Sequence, residues 1–216
     1  GIQCIEYVYR TRRMAVSTIE WTGIILAGGL SRRMGSNKAL LEWNGSSVLE
    51  QVIQAMTPAV NRIIVSAGNN TTAYNALPYD CVQDDYPGKG PLAGLHAALE
   101  ASETDWNLVC ACDMPLLELS FFTGMKRLTE SAQEHHAIVP RLAGRVHPLA
   151  GAYHKRVLPE LEQRLTGDRL RVTEWLEEMG CRYVDVDELE SAGVHDVAIQ
   201  LSNMNTPEDY EFIRNR

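Results

Sequence analysis

Ile24-Ile25-Leu26-Ala27-Gly28-Gly29-Leu30-Ser31-Arg32-Arg33-Met34-Gly35-Ser36-Asn37-Lys38 runs from a short apolar strand into a loop with three glycines, two arginines and a lysine. Glycines let backbone N–H groups come close to a ligand, and a loop of such donors forms a concavity for anions. Arginine adds a forked donor that matches phosphate oxygens, and lysine adds a compact charge. The stretch predicts a strand followed by a cradle for a nucleoside triphosphate. A plain strand-to-helix turn needs neither three cations nor a glycine pair. Spacing excludes two common phosphate loops. The P-loop wants Lys directly after its second Gly, whereas Gly35 is followed by Ser36 and Asn37. The dinucleotide pattern G-x-G-x-x-G fails because Gly28 and Gly29 are adjacent.

Moving outward, short apolar runs alternate with helical spacing. Ile63–Val65 and Leu108–Cys112 read as strands, and Cys81–Gln83 as a weaker one. Ser47-Val48-Leu49-Glu50 forms a capping-box pattern, with Val48, Leu49, Val52, Ile53 and Met56 recurring at helical intervals. The polar stretch Gly68 to Thr72 leads to an expected short helix before Cys81. After the loop Pro87-Gly88-Lys89-Gly90-Pro91, Leu92, Leu95, Ala98 and Leu99 mark another helix. In the second half, Ile138–Pro140 and Leu149–Tyr153 form a hairpin-like excursion around Leu142–Arg145. Val157–Leu165 and Val172–Met179 are helical, and Tyr183–Val186 is a strand. Thr206 caps a last helix with Pro207 in its first position. The expected fold is α/β: a single-domain, Rossmann-like unit with a mostly parallel central sheet and helices on both faces. Ligands then sit at the carboxyl ends of the strands. Residues 1–20 read as an N-terminal extension and 21–216 as the domain.

At 216 residues the chain is long enough for a sizeable core. A net charge of -8 argues against broad nucleic-acid binding, so the positive charge of the loop is local. No apolar run approaches the roughly 20 residues that span a bilayer. Five cysteines, an odd number, do not suggest a disulfide framework, and the chain reads as cytoplasmic and reduced. Cys110 and Cys112, two apart in a strand, share one face and read as buried thiols rather than a zinc pair.

Asp113 lies just past the strongest strand, which Pro115 stops from continuing. There it is either a turn or capping residue, or a ligand for Mg²⁺ bridging phosphate oxygens. Asp84 and Asp85 follow another strand and are placed to meet a base, a ribose or the metal, or else are solvated acids. Gly90-Pro91-Leu92-Ala93-Gly94 opens a helix whose N-terminus suits an anion or a base edge. His147 and Arg145 lie in the excursion after the core strands. Arg169 and Arg171 are either surface arginines or contacts for a second phosphate-bearing substrate. Asn203 and Asn205 precede a helix and suit polar ring or phosphate recognition. No Ser-His-Asp or Cys-His arrangement stands out, and phosphoryl or nucleotidyl transfer requires no protein nucleophile.

These pieces resemble the MobA-like nucleotidyltransferases, whose loop reads L-A-G-G-x-S-x-R-M-G and then Lys; among them the chain is most similar to the molybdenum cofactor guanylyltransferases. The match rests on Leu26–Gly29 with Ser31, Arg33, Met34, Gly35 and Lys38, and on Asp84, Gly90–Gly94, Cys112–Pro115, His147-Pro148 and Asn203–Glu208. It covers residues 23–214. The resemblance implies a nucleotide-diphospho-sugar-transferase-like fold and a Mg²⁺-dependent transfer of GMP from GTP to the phosphate of the molybdenum-pterin cofactor. It implies GTP contacts at Leu26, Ala27, Gly28, Gly29, Lys38, Asp84, Gly90 and Asp113, with Asp113 also the metal ligand. Arg33, Lys38 and Asp113 are the implied catalytic groups. A family position after Ile63–Val65 can be Asn, whereas this chain has the shorter Ser66. Arg169, Arg171, Asn203 and Asn205 are implied on the pterin side. Transient contacts with other cofactor-biosynthesis proteins or acceptor molybdoenzymes also follow. The alternatives are a cytidylyltransferase of the same superfamily, acting on a pterin cofactor or a small alcohol phosphate, and a non-catalytic nucleotide-binding homologue.

Overall fold

The computed structural model describes residues 19–28, 42–43, 46–69, 74, 77–203 and 206–215. Its centre is β1 (Trp21–Leu26), buried along its whole length. β4 (Arg62–Ser66) and β6 (Trp106–Ala111) flank it, both parallel. β5 (Asp80–Val82) extends the sheet beyond β4, also parallel. On the other side β9 (Ala150–His154) runs antiparallel to β6 and to β7 (Ala137–Leu142), and β10 (Arg182–Val184) closes that edge parallel to β7. The short β8 (Arg145–Val146) folds back on β7 through Ala143 and Gly144, whose φ values of 49° and 79° suit a two-residue hairpin turn. β2 (Glu42–Trp43) and β3 (Ser46–Ser47) pair separately.

The central strands are mostly apolar on both faces, as strands covered on both sides require, with Thr22, Ser66 and Asn107 as buried polar exceptions. Ile25, Ile63, Val65, Leu108 and Cys110 point to one face, against α1 (Val48–Met56) and α3 (Leu119–Glu130). Ile24, Leu26, Ile64, Val109 and Ala111 point to the other, against α2 (Pro91–Ala101), α4 (Leu158–Thr166) and α5 (Val172–Met179). Cys112 joins Cys110 on the first face; both are buried, and burial above all pushes the Cys110 thiol up. The expected α/β sandwich is thus the observed one.

Local chemistry sets the boundaries. Ser47 caps α1 by accepting from the Glu50 N–H at 3.1 Å. Thr206 and Asp209 exchange reciprocal 3.1 Å bonds at the start of the helix Pro207–Arg214. One difference from the expected pattern has a clear cause. The strand at Tyr183 stops at Val184, because Asp185 and Glu188 form a capping box that opens α6 (Val186–Ser191). The expected pairing around Leu142–Arg145 is present, with Ile138 opposite Ala152 in antiparallel β7 and β9; β8 adds a short turn-back on β7, and β9 also pairs with β6 on its other side.

β4 and β5 lie on one side of β1, and β6 on the other. The helix before β4 covers one face, and the helix before β6 covers the opposite face. That reversal opens a crevice beyond the carboxyl ends of β1 and β6.

Candidate active site

The crevice is a cleft of about 490 Å³ lined by Leu26, Gly28, Ser66, Gly68, Asp84, Gly90 and their neighbours. Backbone bonds beyond the strand ladders tie its rim together. The N–H groups of Ala27 and Gly28 both donate to the Ser66 carbonyl, at 2.8 and 3.1 Å; Asp84 N–H donates to the Gly68 carbonyl at 3.0 Å. A side chain at Gly28 has no room, since a Cβ there would stand 2.5 Å from the Gly68 backbone. The first glycine of the opening loop is therefore required by close packing of two strand ends.

α2 enters from below. A Cβ on Gly94 would lie 2.9 Å from Ser66 Oγ and 3.8 Å from Asp84 Oδ1, so the bare glycine keeps the cleft floor open. Ser66 Oγ donates to the Gly94 carbonyl at 3.0 Å, which uses its proton and leaves its lone pairs. At the start of α2, Gly90 (φ 73°) supplies no side-chain cap and Pro91 takes the first helical position. The uncapped N–H groups and the positive end of the helix dipole lie where Gly90 and Pro91 line the cleft.

Asp84 Oδ1 is buried without a hydrogen-bond partner. Burial, and then the charge of Asp85, pushes the Asp84 carboxyl above the usual carboxylate range. The group is held where its ionised form lacks solvation, which an incoming cation would restore.

A smaller cavity of about 110 Å³ adjoins the cleft and shares Leu149 with it; Asp113, Arg145, His147 and Asn203 line it. Cys112 N–H donates to the Leu26 carbonyl at 3.2 Å, carrying the β6 backbone past its ladder to Asp113. Asn203 Nδ2 donates to Asp113 Oδ2 at 3.1 Å, while Asp113 Oδ1 is buried and unpartnered. Burial first, and then Arg145, pulls the His147 imidazole below its ordinary value, which favours a neutral ring. Orphaned carboxylate oxygens at Asp84 and Asp113, with an amide beside one of them, are the oxygen donors a hard divalent cation prefers.

The structure thus brings Leu26, Gly28, Ser66, Asp84 and Gly90 to one cleft, with Asp113 and Asn203 next door. Ala27 takes part through its backbone; its carbonyl accepts from Tyr74 Oη at 3.2 Å. Arg169 and Arg171 line neither cavity. Arg169 is engaged by Glu174 at 2.7 Å and by Glu178, and Arg171 is an exposed residue preceding α5. Gly29, Arg33, Lys38 and Asn205 lie outside the described residues, as do residues 1–18 of the expected extension. Sequence reasoning missed Leu149 between the two cavities and Gly68-Asn69 on the rim. Gly-Asn directly after a buried strand was the available signal for the latter.

Among the described residues, no helix is long and apolar enough to cross a membrane. Residues 23–184 match the MobA-like NTP transferase domain. A Bacillus cereus protein named "Probable molybdenum cofactor guanylyltransferase" is 31% identical over 195 residues, 88% of this chain and 94% of that protein. The crystal structure of molybdopterin-guanine dinucleotide biosynthesis protein A from Archaeoglobus fulgidus superposes with a TM-score of 0.78 at 23% identity, covering 90% and 97% of the two chains. A Mycobacterium tuberculosis protein solved in complex with manganese superposes with a TM-score of 0.65 at 22% identity, covering 91% and 98%.

Proposed function

Because the chain belongs to the MobA-like NTP transferase family, we propose that it transfers a guanylyl group from GTP to the terminal phosphate of the molybdenum-bearing pterin cofactor. A phosphate oxygen of the pterin attacks the α-phosphorus of GTP, the α–β bond breaks, and pyrophosphate leaves. The observation that carries this reading is the pairing of two cavities that share Leu149. One is large enough for a nucleotide, and the other is lined by an acid–amide pair. A reaction that joins two phosphate-bearing molecules needs such adjoining sites.

In this reading Leu26, Gly28, Ser66 and the N-terminus of α2 seat GTP, and Asn203 with Asp113 borders the acceptor. Arg33 and Lys38 would oppose the charge on departing pyrophosphate. Asp113, together with Asp84, would hold Mg²⁺, which when bound neutralises phosphate charge. The free thiols among the described cysteines suit the reducing cytoplasm, where the acceptor's biosynthetic partners would hand it over.

The test supplies the enzyme with the pterin cofactor, Mg²⁺ and each of GTP, ATP, CTP and UTP, and follows pyrophosphate release. GTP is expected to support turnover. Product with CTP and none with GTP overturns the assignment in favour of a cytidylyltransferase. Asp113→Ala should lower turnover by about 10²-fold or more while keeping an unchanged thermal transition. Near-normal turnover in that variant removes Asp113 from its role.

A further inference from the structure

Outside the cleft, Asp85, His96 and Glu100 hold their ligand atoms within 4.8 Å of one another. His96 sits on α2 and is 5% exposed, yet its Nδ1 has no hydrogen-bond partner. That nitrogen lies 3.9 Å from Asp85 Oδ2 and 3.9 Å from Glu100 Oε2, both too far for a hydrogen bond. Glu100 is one turn further along the same helix, and Asp85 comes from the segment after β5. The Tyr86 and His96 rings meet edge to face at 5.3 Å and 81°, which orients the imidazole. The two acids also face each other. A buried nitrogen with no hydrogen-bond partner, 3.9 Å from an oxygen of each of two carboxylates, is a donor set that suits a divalent cation.

We propose that Asp85, His96 and Glu100 form a second metal site, for a first-row transition cation of the zinc kind, that ties the segment after β5 to α2. One imidazole nitrogen and two carboxylate oxygens suit such an ion, whereas Mg²⁺ prefers oxygen and water throughout. Ligand bonds of about 2.0–2.2 Å in a tetrahedron put ligand atoms about 3.4 Å apart, so each carboxylate needs to come roughly half an ångström nearer the imidazole nitrogen from its 3.9 Å. Both carboxylate side chains are 60% exposed, which gives them freedom to do so and leaves a water the fourth position. The segment concerned carries Asp84, Gly88 and Gly90 to the cleft, so the ion would steady one wall of it.

The test titrates the full chain, stripped with chelator, with Co²⁺ and follows visible absorption, alongside His96→Gln, Glu100→Gln and Asp113→Asn. Wild type and Asp113→Asn should each take one Co²⁺ with nitrogen–oxygen coordination. Binding should weaken at least tenfold in His96→Gln and in Glu100→Gln. The exposed position of Glu100 keeps the test open even where His96→Gln fails to fold. Zn²⁺ should raise the melting temperature of wild type by several degrees and leave that of Glu100→Gln unmoved. Equal Co²⁺ affinity in wild type and Glu100→Gln overturns the site, and so does a signal lost in Asp113→Asn, which would assign the ion to the cleft.

Discussion

Asn203 Nδ2 donates a 3.1 Å hydrogen bond to Asp113 Oδ2 across ninety residues of chain, and the second oxygen of Asp113 is left buried and unpartnered. The amide restrains the carboxylate's rotamer, and in the proposed function the other oxygen is the one left for Mg²⁺. Outer partners of this kind typically change metal affinity or activity by 10–100-fold when removed. Asn203→Ala should therefore lower turnover by about 10–100-fold and raise the Mg²⁺ concentration needed for half-maximal rate. Asn203→Asp places a second carboxylate at hydrogen-bond distance and should impair turnover at low Mg²⁺ more than at high. A rate in Asn203→Ala that is low but has the wild-type Mg²⁺ dependence would show that the amide serves the acceptor instead.

Gly94 separates stability from binding. Within a helix, Gly→Ala normally gains up to about 1 kcal/mol. Here the new methyl would meet Ser66 Oγ at 2.9 Å and stand 3.8 Å from Asp84 Oδ1, on the floor of the cleft. Gly94→Ala should thus leave the melting temperature near that of wild type while weakening GTP binding by about tenfold or more, a loss on the order of 1.4 kcal/mol. Calorimetric titration with GTP and a thermal scan on the same sample check both halves. Unchanged affinity would remove the cleft floor from the nucleotide site.

Asp84 carries a pH dependence with a definite sign. Its folded pKa lies above the ordinary value, chiefly through burial, so the native state holds the proton more tightly than the unfolded chain. Stability of the ligand-free protein should fall as pH rises from the usual carboxylate value through the raised one, and then level off. Asp84→Asn lacks this penalty. It should melt higher than wild type at pH 7–8, with the gap closing below about pH 4 where Asp84 is protonated. The same variant should bind GTP with Mg²⁺ more weakly. Thermal scans across pH decide it: a variant that melts lower at pH 8 contradicts the buried-charge account.

What was legible in the sequence divides along physical lines. β1, β4 and β6 showed because continuous apolar runs bounded by Gly, Asp or Pro have few other readings. Asp84, Asp113 and Gly90–Gly94 showed because they stand where those runs end, and a parallel sheet gathers such ends on one edge. α3 did not show: Ser120, Thr123, Gly124 and Thr129 are weak helix formers, and the helix forms by burying Phe121, Phe122 and Met125. The insertion of β9 between β6 and β7 was equally hidden, since a strand's own residues do not name its neighbour. Arg169 stayed open between a surface arginine and a phosphate contact because nothing local reveals that α5 would present Glu174 and Glu178 to it. Long-range partners, not local chemistry, set the limit.

That same arginine cluster yields an asymmetric prediction. Arg164 is 2% exposed and meets Glu178 at 2.5 Å, while its Nε has no partner; Arg169 reaches Glu178 and Glu174 from outside. Hydrogen bonding from Arg164 above all holds the Glu178 carboxyl below its usual range. A depressed folded pKa means that this stabilisation is present above the unfolded value and disappears as pH falls through the folded one. Removing Glu178 alone takes away the short partner of a buried guanidinium and leaves it only a 3.6 Å contact with Glu174 and a 3.4 Å bond to the Arg169 carbonyl, which is costly, whereas replacing the buried ion by an apolar chain of similar length is often neutral or better. Glu178→Ala should therefore lower the melting temperature clearly at pH 7 and much less below about pH 4. Arg164→Met should melt close to wild type at both. Guanylyl transfer should be unaffected by either change, since neither residue lines a cavity of the site. If Arg164→Met proves as damaging as Glu178→Ala, the buried pair contributes net stability, and the packing of α4 on α5 depends on charge rather than on Trp175 and Leu161.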